Sequence, residues 1–295
     1  MHNGPPGGRR PASSVSVRRI AFKFDQAQPS RRHFVADDIA MSHLVALLSG
    51  FFPSGEEFFI HSVRRYRERI DDPQLDKQVA GFIGQETTHG LQHRALNAEL
   101  IRMGYWATGG IDRLGVKLVK RFERQRDRLP DVLARFALAC TAAVEHLTAV
   151  LGGQVLSTPW VQQQLTDPEV RAMLNWHAIE EMEHKAVAFD VYRYVGGTER
   201  MRRAAMTTVL FLFLSRAVVL ALSIGSDRWA WRHPKRALGS VVALPGRPLF
   251  DGIAPQIRQY YVMDFHPDHI DHNELLDRWR TEYFGSDGAL LDHLK

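Results

Sequence analysis

The feature that most constrains this chain is a pattern that occurs twice, 95 residues apart. Asp72-Pro73 stands 14 residues ahead of Glu86-x-x-His89, and Asp167-Pro168 stands 14 residues ahead of Glu181-x-x-His184. Each Asp-Pro pair reads as a helix start: the aspartate accepts from free N–H groups of the first turn and the proline presets φ. Residues three apart share a helix face, so each glutamate points with its histidine. The apolar positions keep register too, Leu75 with Val170, Val79 with Leu174 and Ile83 with Ala178. Upstream of each copy lies a helix with a glutamate in apolar surroundings, Glu56 in "FPSGEEFF" and Glu145 in "TAAVEHLTAVL". The chain thus repeats a helix pair, one carrying Glu and the next carrying Glu-x-x-His.

Two Glu helices and two Glu-x-x-His helices are the ligand set of dimetal carboxylate bundles. Carboxylates and imidazoles aimed into an apolar core demand a compensating cation. The expected fold is therefore all-α: a ferritin-like four-helix bundle with a dinuclear metal core, extra helices and a loop-rich C-terminal extension. The expected metal ligands are Glu56, Glu86, His89, Glu145, Glu181 and His184, with His177 as a seventh. His177 lies four residues before Glu181 and seven before His184, on the same face; its counterpart in the repeat is Phe82, and a merely buried or supporting histidine is the alternative. His93 and Asp190 are candidates to orient ligands from behind. Glu57, Glu180 and Glu183 adjoin ligands but lie about 100° or more around the helix, which predicts solvent-facing or helix-pairing roles. The run "DFHPDHIDH", broken by Pro267, reads as a polar loop.

Long 3.6-residue periodicities dominate and strand signals are poor. Helices are expected from near Asp38, again after Pro53, from Pro73 to Gly104, over a basic stretch at 112–129, from Pro130 to Gly152-Gly153, from Pro168 to Gly196-Gly197, over 204–226 and near 273–283. We divide the chain into a flexible basic arm (1–36), a bundle domain (37–226) and an extension packed on it (227–295). The arm has seven Lys/Arg against one acid, Asp25, and no apolar core for a secretory signal. No nucleic-acid motif accompanies its charge, so no nucleic-acid partner is expected. The single cysteine, Cys140, excludes an intrachain disulfide and fits a reducing, cytoplasmic setting with an inert buried thiol. The apolar segment 204–226 is long enough to cross a bilayer, but Arg216 near its middle is expensive in lipid. A buried core helix is the first reading of it, membrane-surface contact the second and a true span the third; it could also support a homodimer.

The motifs "FPSGEEFF" followed by "SVRRY", "QETTHGLQHRALN", "AAVEHLTAVLG", "HAIEEMEHKAVAFDVYR" and "FHP" together resemble a bacterial family of predicted metal-dependent hydrolases, over most of residues 18–280. In that family the glutamate directly follows Gly, which implies Glu56 rather than Glu57. The ligand order Glu, Glu-x-x-His, Glu, His-x-x-x-Glu-x-x-His also resembles that of di-iron arylamine N-oxygenases, and implies the same seven residues.

Three functions follow as expectations. The first is an O2-activating di-iron oxidase or oxygenase acting on a small organic substrate. Its two iron ions could be replaced by manganese or zinc, and a separate reductase would supply electrons because no flavin or nicotinamide fingerprint is present. The alternative is a hydrolase in which a dimetal centre activates water. The third, metal storage, is disfavoured by the net charge of +5, since an iron store needs an acidic route inward.

Overall fold

The computed structural model describes residues 15–24, 32–125 and 128–295. Its helices are α1 (Ile39–Arg64), α2 (Pro73–Arg102), α3 (Trp106–Gln125), α4 (Asp131–Ser157), α5 (Pro159–Gln164), α6 (Pro168–His184), α7 (Val187–Tyr194), α8 (Glu199–Gly225), α9 (Arg228–Arg232), α10 (Pro234–Ala243), α11 (Ile253–Gln259) and α12 (Asn273–Phe284). The protein is all-helical; only two isolated β-bridges, Ile20 with Leu294 and Val35 with Leu165, join extended segments among the described residues.

The two Asp-Pro starts form as expected. Asp72 accepts from the N–H groups of Gln74 and Leu75, and Asp167 from that of Val170. α1 packs on α2, α4 on α6, α1 on α4 and α2 on α6, which closes a ring of four helices. Outside the ring, α3 lies on α1 and α2, α8 on α4 and α1, and α12 on α6 and α4.

Four expectations need correction. Pro53 does not restart a helix; α1 runs through it, capped by Asp38. A proline inside a helix strands the carbonyl four residues earlier. Here that is Ser49, and the Asn97 side-chain amide donates to it at 3.0 Å, so the helix continues. Gly152-Gly153 does not end α4 either. An added Cβ at Gly152 would meet the Ala178 backbone oxygen at 3.0 Å, so the glycine serves the close approach of α4 to α6. The helix expected to run on to Gly196 breaks after His184 and resumes as α7.

The fourth correction concerns 204–226. α8 is not a buried core helix: Phe211 is 70% and Leu214 75% exposed. It touches α4 and α1 along one side only, through Ala205, Met206 and Val209 near its start and Ser223 and Ile224 near its end. Within the stretch expected as a basic arm, residues 15–24 lie against the helices. Ile20 and Phe22 are buried, and the Phe22 N–H donates to Gln92. Cys140 is half-buried, and burial pushes its thiol up to about 11, which keeps it protonated and inert.

Candidate metal centre

Each helix of the ring delivers its acidic or imidazole groups to one place. α1 contributes Glu56, α2 Glu86 and His89, α4 Glu145, and α6 His177, Glu181 and His184, all buried. Their donor atoms form overlapping triads in which every pair lies within 4.8 Å: Glu86–Glu145–His184, Glu56–Glu86–His89 and His89–His177–Glu181. A fourth, Glu56–His93–His177, closes the set. Glu86 and Glu181 reach both ends of the cluster. Glu86 Oε1 is 3.1 Å from His184 Nε2 and 3.5 Å from His89 Nδ1. The two oxygens of Glu181 each lie 3.7 Å from those same ring nitrogens.

Apart from His177 Nε2 and Glu181 Oε1, these atoms are close without being bonded to one another. His184 Nε2 lies 3.0 Å from Glu145 Oε2, yet neither it nor any oxygen of Glu56, Glu86 or Glu145 has a hydrogen-bond partner; nor do His89 Nδ1 and Glu181 Oε2. Orphaned buried polar atoms are rare, because each carries its full desolvation penalty. Here they converge, which is the arrangement of a cation site and not of an ion-pair network.

The electrostatics agree. Burial, and then the neighbouring glutamates, push the carboxyls of Glu56 and Glu86 well above the usual range. Burial raises Glu145 to about 7. Burial works against charge on Glu181 and His184 as well, but the adjacent His177 and His184 rings hold Glu181 low, and Glu145 holds His184 high. Four buried acidic groups thus crowd one pocket with too little positive charge beside them to ionise together, a deficit that a cation would relieve.

The outward nitrogens show how the ligand atoms are aimed. His89 donates from Nε2 to Glu180 Oε2 at 3.0 Å, leaving Nδ1 for the centre. His184 donates from Nδ1 to Gln85 Oε1 at 2.9 Å, leaving Nε2. Gln85 is in turn fixed by donating to Glu183 and to the Ser16 carbonyl. On the third histidine the proton positions follow from the Asn97 amide. Its nitrogen is committed to Ser49 O, so its oxygen accepts from the Ser49 hydroxyl at 2.7 Å. Ser49 then accepts from His93 Nδ1 at 2.9 Å, and His93 Nε2 accepts from His177 Nδ1 at 2.9 Å. His177 Nε2 is left without a hydrogen 2.7 Å from Glu181 Oε1, a separation that requires a cation or a proton between them. Phe52 stacks on His93 with ring centroids 4.5 Å apart and meets His177 edge-on, which shields the pair from water.

Several expectations are revised at this level. Of the two roles expected for Glu180 and Glu183, helix pairing is the one seen and solvent exposure is not: Glu180 bonds His89 and Glu183 bonds Gln85, both of α2, Arg280 of α12 binds Glu183 at 2.7 Å, and Arg18 reaches in to bind both. They do point away from the centre, as the helical angle requires, but what lies there is protein. Helix-face spacing does not single out Gln85 and Glu180 as ligand-orienting groups, although they stand 95 residues apart, each directly before the glutamate of its motif. Asp190 orients no residue of the centre; it accepts from His266 Nε2 at 2.9 Å and so anchors the polar loop. That loop is held by its own hydrogen bonds, His266 accepting from the Asp268 N–H and His269 from that of His266. Glu57 is turned out toward Arg94 at 3.6 Å, whereas Glu56 is buried.

A family described as "Predicted metal-dependent hydrolase" matches residues 16–271, most of the chain. The chain belongs to that family. No curated protein and no solved structure matches it. The family's stated activity overturns the oxidase or oxygenase expectation and supports the alternative, a metal-dependent hydrolase. The separate reductase was needed only by the oxidative chemistry. Within this family the buried carboxylate and histidine groups are the part of the protein suited to hold the metal.

Proposed function

We propose that the protein is a hydrolase whose ring of helices is a ferritin-like bundle around a dinuclear centre. Glu56, Glu86, His89, Glu145, His177, Glu181 and His184 are its ligands. The observation that carries this reading is the convergence of orphaned donor atoms from both copies of the repeat. Glu145 and His184 stand at one end of the pocket and Glu56, His89 and His177 at the other, with Glu86 and Glu181 within 3.7 Å of ring nitrogens at both ends; these seven side chains would hold the metals. Nitrogen and oxygen donors suit manganese, iron or zinc. Such ions, when bound, lower the pKa of water and polarise a carbonyl or phosphoryl oxygen.

The chain's own residues fix the donors and keep the centre dry. Glu180 and Gln85 hold two imidazoles in the tautomers that turn a lone pair inward, and the Asn97–Ser49–His93 chain does the same for His177. Arg18 and Arg280 neutralise Glu180 and Glu183, so the outer shell adds no net negative charge to the four glutamates within. Gly90 leaves room for Glu56, since a Cβ there would come within 3.1 Å of Glu56 Oε2.

The test is metal analysis of the purified chain, followed by turnover of ester, amide and phosphate substrates before and after chelation. About two divalent ions per chain and hydrolysis that disappears with chelation and returns on reloading support the reading. Hydrolysis that survives complete metal removal would refute it.

A further inference from the structure

We propose that the outer face of α8, with α9 and α10, docks this protein on the surface of a bilayer bearing anionic headgroups. Two helices of the described residues are long and apolar enough to cross a membrane, α4 and α8. In α4, 78% of the most apolar stretch is buried; in α8 the share is 17%. The core accounts for α4 and leaves α8 without an explanation.

The exposed side chains of α8 are ordered. Phe211, Leu214, Val218 and Leu222 fall at i, i+3, i+7 and i+11, one stripe of the helix, and all are exposed. Arg216 does not interrupt that stripe. It lies on the inner side, over the Phe51 ring of α1 at 5.5 Å, and donates to the Leu212 carbonyl. Beyond the stripe, Trp231 donates to the Gly225 carbonyl at the end of α8 and is 76% exposed, and Val242 of α10 is 71% exposed. An ordered stripe of exposed apolar side chains marks an interaction site.

Charge identifies the occupant. Between residues 200 and 250 there are nine Lys/Arg and a single acid, Asp227. Asp227 is buried and held by Arg32, His33 and His43, so it offers nothing to solvent. Arg228, Arg232, Lys235 and Arg236 are exposed next to Trp231. Cations beside an apolar stripe, with a tryptophan at the boundary, match the interface of an anionic membrane. A second copy docking face to face would set these cations against each other. Side chains exposed by 70% or more stand proud and line no groove, and a fluid surface closes around such protrusions.

α8 lies along the bilayer surface and does not cross it, because both ends are fastened to the protein. Near the start, buried Arg202 donates to the Tyr260 and Val262 carbonyls. Near the end, Ser223 bonds His43 Nδ1 at 2.8 Å.

The experiment is flotation of the full metal-loaded chain with vesicles of phosphatidylcholine alone or mixed with phosphatidylglycerol. The chain should float with the mixed vesicles about tenfold or more better than with the neutral ones, and salt should weaken that binding. F211S/L214S/V218S should remain unbound, and R228Q/R232Q/K235Q/R236Q should bind about tenfold or more weakly. Both variants should keep wild-type helicity and metal content, since the changed residues are exposed. Absence of flotation with the mixed vesicles, equal binding to neutral ones, or a triple-serine variant that binds like wild type would overturn the proposal. A chain that stays off vesicles but sediments as a dimer, dispersed by the triple-serine variant, would assign the face to a second copy. None of these outcomes depends on the hydrolytic reading.

Discussion

The half of the centre built by α1 and α2 and the half built by α4 and α6 have the same plan and different details. In each, the residue directly before the Glu-x-x-His glutamate binds the histidine of the other half: Gln85 holds His184 and Glu180 holds His89. One support is a neutral amide and the other a carboxylate, so the two histidines are held by unlike partners. The second half also carries His177 where the first has Phe82, and the first carries His93 where the second has Ala188. These two departures meet, since His93 is what orients His177. A symmetric scaffold has thereby become a centre with two unlike ends, one with an added imidazole.

The largest effect should come from removing the element both halves share. Glu86→Ala combined with Glu181→Ala takes away the carboxylates that reach both ends; metal content should fall to background, and added metal should no longer raise the melting temperature. His177→Phe makes the second half like the first. It should weaken one equivalent of metal by about tenfold or more, roughly 1.4 kcal/mol, while sparing the other, as a two-step titration would reveal. Glu180→Gln equalises the two supports and should weaken metal binding by about tenfold, the lower end for an outer-shell partner. Gln85→Glu, the converse change, should give a different result because it sets a second charge beside Glu183. The Asn97 link serves both the continuity of α1 and the chain that orients His177, and the smallest effect is its loss as read on the scaffold. Asn97→Ala leaves the Ser49 carbonyl unpaired and should cost about 1–3 kcal/mol in denaturant unfolding of the metal-free chain. An unchanged two-step titration for His177→Phe would mean that the added histidine does not distinguish the ends.

The repeat was legible because side-chain periodicity on a helix is local. Register, capping and the Glu-x-x-His faces all follow from spacing, and the positions of Glu86, His89, Glu181 and His184 needed nothing else. Pro53 and Gly152 were misleading for one reason: their local propensity favours a break, and a group distant in sequence removes the penalty. For Pro53 it is Asn97, and for Gly152 it is the backbone of α6. Glu180 and Glu183 show the same limit. The helical wheel gave their angle correctly, but only packing decides whether an outward direction leads to water or to Arg18 and Arg280.

What the sequence determined by itself is the set of groups that share a face, because 3.6 residues per turn fixes it within each helix. It also determined that two helix pairs repeat, and hence that four glutamates and two histidines belong to one design. The tertiary structure alone decided which apolar helix became core. α4 and α8 read alike as strings of apolar residues, yet α4 has neighbours all round while α8 lies against α4 and α1 on one side only. It also decided which nitrogen of each histidine faces the centre. That choice depends on partners 44 to 99 residues away in sequence, and no local spacing can encode it.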